Sequence, residues 1–262
     1  MVKKLSLFLA ATFVWSWGFW GWMILNGQIA GYRTSYSHLP GLLGPLFGAL
    51  VVSLVCDGPE GLGRYLKALI RLPKYPLRSL GLVMVPALIA LIVTSQFGYR
   101  PSLSRVLIYP GIPTGLSPLT SVLVVYILNG LGEEAGWRGY LLPELARRFG
   151  TMTAIWIIVI IWLVWHAPLF WINASMIHMG PPMILGWAIG LMCGAFVLTH
   201  VYVLSGQSVL VVALWHIVYN YSVATPAVTG LIAMYVSMAI MVWGLLLAIW
   251  WTIGQPPRIA RT

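Results

Sequence analysis

Only five residues of this 262-residue chain are acidic, and two of them, Glu133 and Glu134, stand side by side in an apolar stretch. With Arg138 they form Glu133-Glu134-Ala135-Gly136-Trp137-Arg138, an E-E-x-x-x-R pattern. On a helix Glu134 and Arg138 are four apart and share a face, while Glu133 points about 100° away. One carboxylate is then neutralised by a guanidinium; the other has no basic neighbour and is suited to accept or donate a proton. The Glu134–Arg138 pairing reads equally as a structural ion pair locking its helix to its neighbours. Two histidines follow. His166 closes Trp162-Leu163-Val164-Trp165-His166, and His216 opens His216-Ile217-Val218-Tyr219-Asn220. His216 and Asn220 are again four apart, so one helical face presents an imidazole and an amide together. A buried carboxylate can serve as a base, and donors in a low-dielectric cavity stabilise developing charge strongly.

The elements that must hold these groups are membrane helices. The chain is 60% hydrophobic and 8% charged, with a mean hydropathy of +0.90, whereas soluble domains carry about 25% charged residues. A membrane-spanning helix needs about 20 apolar residues. Leu5–Tyr32, Thr34–Cys56, Ser79–Tyr99 and Val106–Gly132 are free of Asp, Glu, Lys and Arg, as is the whole of Phe149–Pro257. Turn-forming clusters at Asn173–Pro182, Ser205–Ser208 and Thr225–Gly230 cut that last run into four. The expected fold is all-α, a single transmembrane domain over residues 1–262 with about eight helices.

The basic residues read as topology. Lys3, Lys4, Arg64, Lys67, Arg71, Lys74, Arg78, Arg147, Arg148, Arg258 and Arg261 all fall on one side of such a bundle. Only Arg33, Arg100 and Arg105 fall on the other, so the first side and both termini are expected to be cytosolic. The first run is longer than a signal-peptide core, and a retained first helix is expected. The net charge of +10 therefore calls for no nucleic acid, since no aromatic stacking pattern accompanies it. Trp and Tyr, 14 and 12 in number, are expected mainly as anchors at the headgroup layer. Cys56 and Cys193 form no metal-type pair and read as packing residues.

Ionisable groups inside a bilayer are costly and tend to mark function. Asp57, Glu60 and Glu144 lie at cytosolic helix ends, which leaves Glu133 and Glu134. Counted at 1.5 Å per residue, Glu133 and His166 lie roughly 22 Å from the cytosolic ends of their helices, with Asn220 slightly shallower. One cavity could take groups from all three helices. His38, His178 and His200 lie in or beside loops or near a helix end and lack such company.

The three motifs together resemble the CPBP family of intramembrane proteases, which includes the type II CAAX prenyl endopeptidase and the bacterial Abi proteins. The string Glu133–Leu142, EEAGWRGYLL, is most similar to prokaryotic members, and the resemblance covers roughly 117–221. Trp162 stands where the family often has Phe, which bears on the shape of the substrate groove. The resemblance implies that Glu133 activates a water for attack on a peptide carbonyl, with assistance from His166. It implies that His216 and Asn220 stabilise the oxyanion, and that Glu134 with Arg138 holds the site or orients substrate. The substrate would be a membrane-associated peptide or protein, prenylated in the family's eukaryotic setting, and the protein would be an integral multi-pass membrane protein, of the plasma membrane if its source is prokaryotic.

A divalent metal such as zinc stays open, because one carboxylate and two histidines could hold it; the absence of H-E-x-x-H favours a glutamate mechanism without one. Aspartyl and serine–lysine intramembrane proteases fit poorly, since the only Asp is Asp57 and no lysine lies within a helix core. The competing readings are a proton-coupled transporter, for which repeat symmetry is missing, and a non-catalytic membrane chaperone or immunity protein of the same fold.

Overall fold

The computed structural model describes residues 2–259 apart from 33, 35, 101, 114 and 229; Arg33 and Arg261 of the charge argument therefore lie outside the described residues. The chain is an all-helical, multi-pass membrane protein. Its principal helices are α1 (Val2–Leu25), α2 (Gly44–Leu69), α3 (Pro76–Gln96), the long stretch α4 (Pro118–Ile172), α5 (Pro181–Leu204), α6 (Val209–Ala224) and α7 (Leu231–Ile253). By length and composition six helices among the described residues can cross a bilayer, with α6 a shorter apolar helix beside them. The described residues contain no strand, only an isolated bridge between Ala30 and Asn173.

The 55 residues of α4 would extend about 80 Å if straight, far more than the roughly 30 Å hydrocarbon core. They do not run straight. Gly150 adopts φ 78° and ψ 161°, a conformation open essentially to glycine, and the chain doubles back there. Trp162 accordingly meets Glu133 at 2.8 Å across 29 residues, which a continuous helix would hold about 43 Å apart. Residues 118–149 form the first leg and 151–165 the second.

The first leg is irregular around the E-E-x-x-x-R motif. Gly132–Gly136 is a regular α-helical turn between two π-helical stretches, Tyr126–Leu131 and Trp137–Leu141. Such widened turns recur at functional sites because each shifts the register of the side chains that follow. The spacing argument for Glu133, Glu134 and Arg138 took this stretch as a uniform helix. Close backbone packing holds the irregular leg. A Cβ on Gly136 would lie 2.4 Å from the Pro45 carbonyl oxygen, and one on Gly130 would lie 2.8 Å from that of Ala213. The start of α2 and the middle of α6 thus press directly on the motif's backbone, as small residues allow between membrane helices.

Connections meet in pairs at the ends of the bundle. Lys74 N–H donates to the Ser205 carbonyl at 3.0 Å and Ser208 Oγ to the Arg71 carbonyl at 2.7 Å. Elsewhere Ala30 bonds both Ile172 and Ala174, and Gly111 N–H donates to Gly31 at 2.9 Å. One expectation is corrected. Trp20, Trp137, Trp165 and Trp215 are fully buried, with Trp165 tilted against Trp20 and edge-on to Trp137 at ring separations of 5.0 and 5.6 Å. These indoles fill the core around the motif, because their large apolar surface packs there and is lost at the headgroup layer. Trp22, Trp171 and Trp250 keep the exposed placement expected of anchors.

Candidate active site

The first leg and α6 together build the charged half of the site. Glu134 and Arg138, one turn apart, are 0% and 1% exposed, and Arg138 Nη1 donates to Glu134 Oε1 at 3.1 Å and Oε2 at 2.9 Å. His216 Nδ1 lies 2.7 Å from the same Oε1, brought there because Gly130 lets α6 approach. The ring donates through Nδ1–H to the carboxylate, which fixes the tautomer and leaves Nε2 as its second functional position. Glu134 therefore takes both of the nearby basic groups. Burial of charge on this scale is tolerated only when it is paired in this way.

Glu133 is 2% exposed and has no ion-pair partner among the described residues. Its Oε1 accepts from Asn129 Nδ2 at 3.1 Å and its Oε2 from the Trp162 indole N–H at 2.8 Å. Asn129 Oδ1 in turn accepts from Asn220 Nδ2 at 2.8 Å. Three elements thus contribute to one hydrogen-bonded row, Asn220 to Asn129 to Glu133, closed by Trp162 from the second leg. The sequence reading expected Glu133 and Asn220 to line one cavity; the structure links them through Asn129 within a closed cluster. Asn129 carries no charge to mark it in the sequence, although its place four residues before Glu133 was a usable signal.

His166 stands apart from both carboxylates. It caps the second leg, its Nδ1 2.7 Å from the Trp162 carbonyl oxygen, with the rings of Trp162, Trp165 and Trp187 at 5.7, 4.8 and 5.4 Å. A neutral ring that donates through Nδ1 presents Nε2 as an acceptor. Of the other histidines, His200 packs between Trp243 and Trp251. His38, expected in a loop, is buried beside Gly111, and its backbone carbonyl accepts from Trp20. Tyr109, on the connection between α3 and α4, is buried against Tyr221 at 5.0 Å. Neither had a motif to mark it.

A cavity of about 190 Å³ lies at another part of the bundle, lined by Lys4, Asp57, Arg64, Tyr65, Tyr140 and Glu144. It includes none of the titratable motif residues, so the chemistry and not the cavity identifies the candidate site. The donor set does not match a metal centre: among the described residues no three His, Cys, Asp or Glu side chains gather as ligands. The reason is visible. His216 Nδ1 is committed to Glu134, His166 Nδ1 faces a backbone carbonyl, and both oxygens of Glu133 accept from neutral donors.

Residues 115–222 match the family model of the type II CAAX prenyl endopeptidases, Rce1-like, a range that brackets all three motifs. A CAAX prenyl protease 2 of Methanococcus maripaludis is 26% identical to this chain over 178 residues. That alignment covers 65% of this chain and 64% of the relative, a little under two thirds of its length. The resemblance to the CPBP family read from the motifs is borne out.

Proposed function

With the CPBP-family match falling on the segment that supplies these polar groups, we propose that the chain is an intramembrane endopeptidase acting on a membrane-associated, prenylated substrate through a water activated by Glu133. The observation that carries this reading is the unequal treatment of two adjacent carboxylates. Glu134 is bound by Arg138 and His216, whereas Glu133 is oriented by two neutral donors and keeps its basicity available. Different environments for neighbouring carboxylates are how a site assigns one to chemistry and the other to support.

In the proposed reaction Glu133 takes a proton from water while the water oxygen bonds to the scissile carbonyl carbon. The carbonyl π electrons move to oxygen, and the oxyanion is received by His216 Nε2 in its protonated form and by the second N–H of Asn220, whose first is spent on Asn129. Collapse of the tetrahedral species breaks the C–N bond, and Glu133 returns its proton to the leaving amine. His166 Nε2 helps orient the water. Arg138, held by Glu134, keeps the first leg in register and sets a positive charge beside the site. No step in this reading runs through a metal, in keeping with the donor set.

The test uses the intact chain in proteoliposomes with a farnesylated peptide ending in C-a-a-X and its unprenylated counterpart. Release of the terminal tripeptide from the farnesylated peptide, persisting after chelator treatment, is expected. Cleavage of neither peptide overturns the substrate assignment, and loss of activity on chelation overturns the metal-independent mechanism.

A further inference from the structure

The side chain that touches most of the site belongs to none of the groups assigned a chemical step. Trp162, 4% exposed, donates its indole N–H to Glu133 Oε2 at 2.8 Å. Its ring carries the Arg138 guanidinium at 4.8 Å and meets the His216 ring edge-on at 6.1 Å. Its backbone carbonyl faces His166 Nδ1 at 2.7 Å. One residue of the second leg is therefore in contact with Glu133, Arg138, His216 and His166. The sequence reading had set this indole against the Phe often found at the position and connected the change with the substrate groove. The structure places it among the charged groups instead.

The two donors to Glu133 are not equivalent. Asn129 is on the same leg, one turn away, and moves with Glu133 whatever the second leg does. Trp162 reaches across from the other side of the Gly150 turn, so its bond fixes the carboxylate relative to His166. Among the described residues, only this contact ties the carboxylate directly to the leg bearing the histidine. A carboxylate with an amide on one oxygen and free on the other could still swing about its terminal torsion, which is broad for glutamate. With the indole N–H on the second oxygen both are tied and the plane of the group is set.

We propose that Trp162 is a positioning residue that fixes the Glu133 carboxylate relative to His166 through its indole N–H, while its ring face seats Arg138. The inference rests on the peptidase reading for its kinetic consequence but not for the contact itself. Two replacements remove the N–H while keeping an aromatic ring. Phe keeps an aromatic face for Arg138 but has no donor, and 3-benzothienylalanine keeps the bicyclic shape with sulfur in place of N–H.

Both replacements are expected to lower kcat by about 10- to 100-fold, the range for losing a hydrogen bond to a charged group, with KM unchanged within about twofold. Benzothienylalanine, which keeps the volume of the indole, should lower the melting temperature less than Trp162→Phe does. A structural role alone would instead lower stability and spare kcat in the isosteric variant, and that pattern overturns the proposal. A second measurement is independent of turnover. In a double-mutant cycle of melting in detergent, Trp162→Phe and Glu133→Ala are expected to be non-additive, because each removes the one contact they share. If wild type cleaves neither peptide, the peptidase reading falls while non-additivity still supports the Trp162–Glu133 tie. Additivity together with normal kcat in Trp162→Phe refutes the tie and leaves the peptidase reading standing.

Discussion

At the scale of residues, adjacent glutamates should respond to the same substitution in opposite ways. Glu134→Gln removes the counter-ion of a buried guanidinium and the anionic partner of His216. Breaking such a pair costs about 3–5 kcal/mol, so the variant is expected to melt well below wild type in detergent; an unchanged melting point would remove the ion pair from the account. Asn129→Leu is a different case. It leaves one Glu133 oxygen without its amide donor and Asn220 Nδ2 without its acceptor, and the cleavage rate is expected to fall about 10- to 100-fold. A rate equal to wild type would show that Trp162 alone suffices to orient the carboxylate. Much of this chemistry was legible in the sequence. The Glu134–Arg138 contact followed from spacing, and the isolation of Glu133 from base followed from the same helix geometry. Asn129 and the indole of Trp162 were not found, because uncharged side chains in an apolar helix give no compositional signal of what they touch. The turning of His166 toward a backbone carbonyl depends on a side-chain rotamer, which spacing does not specify.

At the scale of elements, the site depends on a leg that bends back and on backbone packed against backbone. Gly150 and Gly136 test the two requirements separately. A Cβ on Gly150 meets nothing within 4 Å, so Gly150→Ala should cost only the strain of its backbone conformation, about 1–3 kcal/mol. A Cβ on Gly136 would meet both side-chain and backbone atoms of Pro45 at 2.3–2.4 Å, and the helix cannot yield without moving the motif. Gly136→Ala is therefore expected to lower both stability, by about 1–3 kcal/mol for overpacking, and cleavage. Full activity in Gly136→Ala would show that the contact with α2 does not position the motif. The helices were readable from charge-free runs, and the Gly150 turn from the basic pair Arg147 and Arg148 beside it. The π-helical stretches were not, since hydrophobic periodicity has no contrast where every face is apolar.

At the scale of the whole molecule, the charge pattern and the paired connections make a topological prediction. In a variant lacking Cys56 and Cys193, a cysteine placed at Lys74 and one placed at Leu204 should label from the same side of the membrane, as the Lys74 N–H is bonded to the carbonyl of the neighbouring Ser205. A cysteine at Ser175, next to the Ala30–Asn173 bridge, should label from the opposite side. If all three label together, the alternation of basic and neutral connections does not describe the chain. The burial of Tyr109 and His38 beneath the connections at that second end could not be read beforehand, because those loops carry neither motif nor charge run. Among the described residues Glu133 has no ion-pair partner, and the most direct measurement addresses that residue in the intact protein. Glu133→Gln preserves volume and hydrogen bonding but cannot take the proton. In proteoliposomes with the farnesylated peptide, it is expected to release no tripeptide above background while melting close to wild type; cleavage by this variant at the wild-type rate would contradict the assignment of Glu133 as the base.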